Sequence, residues 1–243
     1  MPKKKKNALA TSKSDFLAQV RKSKASVTKA DSSKLAKALE RKNPRLLFSM
    51  DATASRQAAW NIAKEITGAM FDAIPGELDV ALAYHGGGFL QDVTPFTSKQ
   101  KGFKRKLQQV SCRAGGTAFN PILDKAVNIP RLKALIYIGD CFEENEDHAY
   151  FLANQLLLKG VRVFIFHDIS SQEQGYDIDT AREVFHEIAR RSKGAVFPFD
   201  VNSPEVVKAL LEAISIYAGR GIKALRESKS ESAQKLLKAI GES

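Results

Sequence analysis

Arg45-Leu46-Leu47-Phe48-Ser49-Met50-Asp51-Ala52-Thr53-Ala54-Ser55 passes from an apolar run into small and polar residues. Leu46 to Met50 is an apolar run of strand length, as expected of a strand covered on both faces. Small and polar residues from Asp51 to Ser55 then make a loop. Beyond it Trp60, Ala63, Ile66, Met70, Phe71 and Ile74 recur at helical spacing. A buried strand, a polar loop and a helix in that order are the opening of an alternating α/β domain.

The same texture continues toward the C-terminus. Leu78 to Tyr84 and Phe89 to Thr94 flank Gly86, Gly87 and Gly88, which reads as a hairpin and puts one antiparallel strand at a sheet edge. Asn120 before Pro121 predicts a helix start, with Asn as the cap and Pro in the first turn, running to about Val127. Leu132 to Gly139 and Val161 to Phe166 read as strands, with a helix over Asp147 to Lys159 closed by Gly160 between them. Val184, Phe185 and Ile188 mark another helix, Ala195 to Pro198 a short strand, and Ser203-Pro204-Glu205 opens a helix through Tyr217. The expected fold is α/β: a doubly wound, mostly parallel central sheet with one antiparallel edge strand and helices on both faces.

Charge divides the chain. Of the 38 Lys and Arg, 14 lie in residues 1 to 45, against only Asp15, Asp31 and Glu40, which leaves 24 of each sign for 46 to 243. The net charge of +11 therefore belongs to the N-terminal arm. Its composition buries too little to offset chain entropy, so residues 1 to 44 read as a basic, largely disordered arm, with short helices weighed at 13 to 22 and 31 to 42. Residues 45 to 218 form the domain, and 219 to 243 read as a weakly amphipathic, charged helical tail.

Three loops carry chemistry: Asp51 to Ser55 after the first strand, Gly115-Gly116-Thr117 before a helix, and Gly139-Asp140 after another strand. In an open parallel sheet, ligands bind beyond the carboxyl ends of the strands, so these loops should cluster. Two carboxylates and three hydroxyls then converge. An all-oxygen set with few charges suits Mg²⁺, with Mn²⁺ or Ca²⁺ as alternatives.

On these residues the chain resembles the von Willebrand factor A family, whose metal-ion-dependent adhesion site is written Asp-x-Ser-x-Ser, a Thr after Gly-Gly, and an Asp ending a central strand. The resemblance implies metal ligands at Asp51, Thr53, Ser55, Thr117 and Asp140, with Thr53 standing where the family usually has Ser. It also implies a protein-binding module that is not an enzyme, in which the ion captures an Asp or Glu of a protein partner. Many intracellular relatives act as adaptors of an AAA ATPase or another intracellular complex. Glu143, Glu144, Glu146 and Asp147 are expected to crowd one side of the site and repel an acidic flank.

The alternative is an RNA- or DNA-associated protein whose basic residues 1 to 45 bind phosphates without sequence choice, as in ring-shaped Ro-type RNA-binding proteins, although their helical repeats are absent. A phosphohydrolase using Asp51 as nucleophile would want an acid two residues on, where Thr53 stands. No Ser-His-Asp order and no Gly-rich phosphate loop is present. His85, His148, His167 and His186 have no ligand spacing and read as surface or structural; Cys112 and Cys141 flank site loops but form no zinc or disulfide framework. No apolar run reaches the about 20 residues of a bilayer span, and the first 45 residues lack a secretion signal's apolar stretch. The expected location is cytoplasmic, or nuclear in a eukaryote through Pro2 to Lys6.

Overall fold

Strand β1, Arg45–Asp51, is buried at every position after Arg45, as its apolar run requires. The computed structural model describes residues 42–52, 57–112, 115–169 and 178–242. The short helices weighed at 13 to 22 and 31 to 42 lie outside the described residues. After β1 come α1 (Gln57–Ile66), α2 (Ala69–Asp72), β2 (Asp79–His85), β3 (Leu90–Val93), α3 (Gln100–Gln109), α4 (Phe119–Val127) and β4 (Leu132–Gly139). Then follow α5 (Glu146–Leu158), β5 (Arg162–Asp168), α6 (Ile178–Arg191), β6 (Ala195–Phe199), α7 (Pro204–Glu227) and α8 (Glu231–Ala239).

The six strands lie in the order β3-β2-β1-β4-β5-β6. All neighbours are parallel except β2 and β3, the expected hairpin, which leaves the antiparallel strand at an edge. The hairpin turns through Gly87 and Gly88, at φ 74° and 82°. A side chain is strained there, so the glycines are what permit the turn.

Each face of the sheet has its own core. Phe48 and Met50 of β1 point toward α1, α2, α3, α7 and α8, among Trp60, Phe103, Leu210 and Leu236. Leu47 points the other way, toward α4, α5 and α6, among Phe119, Leu152 and Phe185. The chain leaves β1 for α1 on one face and leaves β4 for α5 on the other. A crevice therefore opens at the carboxyl ends of these two neighbouring strands, the place where doubly wound sheets bind ligands.

Two local expectations change. Helix α4 begins at Phe119, and Ala118 in the cap position makes no side-chain cap. Asn120 is not the cap: its amide donates to the carbonyl of Asn145 at 2.9 Å, and the acceptors for the first turn come from a distant loop described below. Beyond Tyr217 the chain stays helical through Glu227, with one break at Gly221 (φ 82°, ψ −177°). The apolar stripe of the segment beyond the break is seated in the core: Leu225, Ala233, Leu236, Leu237 and Ile240 are all buried. Glu242 closes this end by accepting from Arg162 at 2.9 Å and from Arg226 at 3.2 Å. Among the described residues no helix is long and apolar enough to cross a membrane.

Candidate metal centre

Asp51 ends β1 and is fully buried. Its carbonyl accepts the indole N–H of Trp60 at 2.7 Å, so α1 is tied to the strand end by the chain's single tryptophan. Ala52 N–H continues the ladder to the carbonyl of His85 at 2.8 Å. Asp140 follows β4 and is also buried; its carbonyl accepts from His167 Nε2 of β5 at 3.1 Å, since a carbonyl cannot donate. Thr117 lies in the loop before α4, 5% exposed.

The second loop is held by the third. Thr117 N–H donates to the Glu143 carboxylate at 3.0 Å, and Phe119 and Asn120 N–H donate to the Glu144 carboxylate. A negative group at a helix N-terminus satisfies free donors and meets the positive end of the helix dipole. Burial raises the Glu144 pKa, with the two backbone donors opposing it. Glu144 is thus half-buried, while Glu143, Glu146 and Asp147, three of the four expected acids, remain exposed on the rim.

His85 fixes the same loop from the other side. Its Nδ1 accepts the N–H of Ala118 at 3.1 Å, which leaves the proton on Nε2. Burial lowers its pKa to about 4. The 3.7 Å approach of Nδ1 to Asp51 Oδ1 is therefore a contact with a neutral ring and not an ion pair. The hairpin adds a third tie, Gly88 N–H to the carbonyl of Gly116 at 2.8 Å. Gly115 (φ 134°) packs so closely that a β-carbon on it would lie 2.3 Å from Gly87 Cα.

Sequence reasoning placed Asp51, Thr117 and Asp140 on loops that should converge, and all three stand at the carboxyl ends of β1 and β4 or against them. Asp51 and Asp140 both act electrostatically on Tyr137 and on Cys141, which locates the two carboxylates around one spot. Thr53 and Ser55 lie outside the described residues. His85 and His167, read from the sequence as surface or structural, are structural anchors of the loops, and each sits at or near the end of a strand. Trp60 and Tyr137 were legible only as core residues. Cys112 and Cys141 are not joined in a disulfide. Burial, aided by Asp140, pushes the Cys141 thiol well up, so it is a poor nucleophile.

The donor set fits a hard cation. No group of three or more His, Cys, Asp and Glu side chains is arranged to hold a metal among the described residues, so an ion here needs hydroxyl and water oxygens beside its two carboxylates. Thr117 Oγ1 is buried without a hydrogen-bond partner among the described residues, as are Tyr137 Oη, Ser49 Oγ and His85 Nε2. Buried polar atoms are rarely left so, and their concentration here fits a bound cation with its waters.

No family profile and no curated protein matches the sequence. Solved structures do. An aerotolerance-related membrane protein from Bacteroides fragilis is 16% identical, with TM-score 0.52, over 83% of this chain and 100% of that one. A von Willebrand factor type A structure from Catenulispora acidiphila is 16% identical, with TM-score 0.53, over 71% of this chain and 42% of that one. Proximal thread matrix protein 1 from the mussel byssus, with zinc in its metal-ion-dependent adhesion motif, is 16% identical, with TM-score 0.54, over 71% and 46%. The chain spans less than half the length of the latter two. At this identity the likeness is one of fold.

Proposed function

From a body that is a von Willebrand factor A-type domain, we propose a metal-dependent protein-binding module that is not an enzyme. Asp51, Thr117 and Asp140, with Thr53 and Ser55, hold a divalent cation, and the ion captures an Asp or Glu of a protein partner. Mg²⁺ is the ion the donor set suits, because it accepts one or two carboxylates and keeps several waters. When bound it supplies an under-neutralised positive charge, to which an incoming carboxylate makes a charge-assisted bond. The observation that carries this reading is the buried hydroxyl of Thr117, without a hydrogen-bond partner among the described residues, in a loop pinned from three sides beside Asp51 and Asp140. The zinc in the mussel protein's motif supports it by analogy of fold.

Phe89 is 55% exposed at the tip of the hairpin tied to Gly116. We place it on the binding face as the apolar anchor beside the ion, in keeping with aromatic enrichment at interface centres. The test is capture of partners with and without EDTA, by the wild type and by Asp140→Ala. Partners lost under both treatments support the module; partners retained under both contradict it.

A second reading is favoured by a separate surface. Between Asp92 and Asp124 the chain has no acid but carries Lys99, Lys101, Lys104, Arg105, Lys106 and Arg113. The five on or beside α3 form no ion pair among the described residues, and four of them are exposed. Phe103 of α3 is buried, so this face offers cations without a stacking ring. Together with the basic residues 1 to 45 it suits the phosphates of RNA or DNA. Lys101→Glu with Arg105→Glu should weaken a salt-sensitive binding to mixed-sequence duplex; salt-insensitive binding, or none, contradicts this reading.

A further inference from the structure

Tyr137 stands three residues before Asp140 on β4, a strand whose core-facing positions are otherwise aliphatic. In the parallel pair of β1 and β4, Ser49 faces Tyr137 and Met50 faces Ile138, so the next residues, Asp51 and Gly139, come level. The phenol does not point straight down into the core. It runs along its own strand: a β-carbon built on Gly139 would lie 2.5 Å from Oη and 2.6 Å from Cε1 and Cζ. Gly139 is therefore required for space, and the space it leaves is filled by the Tyr137 hydroxyl in the same row as Asp51.

The ring is fixed in that pose. It stacks on Phe119 with centroids 3.8 Å apart and planes 13° apart, lies parallel to His85 at 5.8 Å, and meets the edge of Phe185 at 5.8 Å. Phe119 opens α4 two residues after Thr117, and His85 anchors the intervening Ala118. The stack thus ties the floor of the site to its Thr117 loop. Tyr137 is completely buried, yet Oη has no hydrogen-bond partner among the described residues. Burial, with Asp51, Cys141, Asp140 and Glu144 around it, raises the pKa far above that of a free phenol, which keeps the proton on and makes the hydroxyl a donor.

Resting on the metal reading above, we propose that Tyr137 is a positioning residue of the metal centre, its hydroxyl donating a hydrogen bond to the oxygen shell of the bound cation. The acceptor is a carboxylate oxygen of Asp51 or Asp140, or a water the ion holds. A buried hydroxyl lying over Gly139 in the row of Asp51, with that strand neighbour reduced to glycine to admit it, is costly in the metal-free domain and is compensated when an acceptor is set in place.

Tyr137→Phe tests this without disturbing the stack. Mg²⁺ and Mn²⁺ are titrated calorimetrically into the wild type and the variant, and both are melted in EDTA. The expected result is a melting temperature in EDTA equal to or above that of the wild type, together with a metal affinity lower by about tenfold, the loss of one charge-assisted hydrogen bond. A ring that served only to fill the core would leave the metal affinity unchanged. Affinity within twofold of wild type overturns the role of Tyr137 and leaves the metal centre standing. A wild type that binds neither ion overturns the metal reading, and this inference with it.

Discussion

Replacing Leu236 with Ala tests whether the C-terminal segment is part of the domain's core. Leu236 of α8 is fully buried in the cluster shared by α7, α1 and the sheet. A Leu→Ala change at such a site costs about 2–5 kcal/mol, the transfer of the side chain plus the cavity left behind. For a body of this size, each kcal/mol moves the melting temperature by about 2–4 °C, so the variant should melt roughly 4–20 °C lower. Removing everything after Gly221 takes away Leu225, Leu236, Leu237 and Ile240 together. At about 1.5–3 kcal/mol each, these four contribute roughly 6–12 kcal/mol before chain entropy is returned. That is comparable with the whole stability of a domain, about 5–15 kcal/mol, so the truncated chain should not fold. The assay is urea unfolding followed by far-UV circular dichroism and by Trp60 emission. Lys235→Ala, at an exposed position on the same helix, is the control and should stay within about 0.5 kcal/mol of wild type. A Leu236→Ala midpoint no lower than that of Lys235→Ala, or a truncated chain with an unchanged cooperative transition, refutes the reasoning.

Thr117→Val removes a buried hydroxyl that has no hydrogen-bond partner among the described residues, so in EDTA the variant should be as stable as wild type or more stable by about 1 kcal/mol. Its Mg²⁺ affinity should fall by about 10- to 100-fold on calorimetric titration, the loss of one strong polar interaction; lower stability in EDTA would mean that the hydroxyl serves the fold. Because Trp60 bonds to the carbonyl of Asp51 and is the chain's single tryptophan, added Mn²⁺ should change the emission of the wild type and leave that of Asp140→Ala unchanged. Phe89→Ala should leave metal affinity intact while weakening an identified partner by tenfold or more, about 1.4 kcal/mol, measured by surface plasmon resonance.

The parts of the fold that were legible in the sequence are those dictated by periodicity. The apolar run of β1, the glycine hairpin and the alternation of strands and helices each follow from short-range rules, and each appears where it was read. The cap of α4 was not legible, because its acceptors are Glu143 and Glu144, more than twenty residues away, and local capping rules favoured Asn120. The segment after Tyr217 looked like a tail because its apolar stripe is interrupted at Gly221 and surrounded by charge. At the site, residue types and spacing named Asp51, Thr117 and Asp140. They could not show that His85 and His167 would anchor the loops, since a histidine's partner depends on strand neighbours set by the sheet order. Gly139 gave no hint that it makes room for Tyr137, a relation visible only in the side-chain geometry.

The central claim is that Asp51 and Asp140 hold a divalent cation in a fold that does not depend on them. Calorimetric titration of Mg²⁺ and Mn²⁺ into the wild type, Asp51→Ala and Asp140→Ala, each first shown folded by circular dichroism, tests it most directly. Saturable binding of one ion by the wild type and a loss of at least 100-fold in both folded variants are expected. Equal affinity in all three proteins, or no binding by any of them, would contradict it.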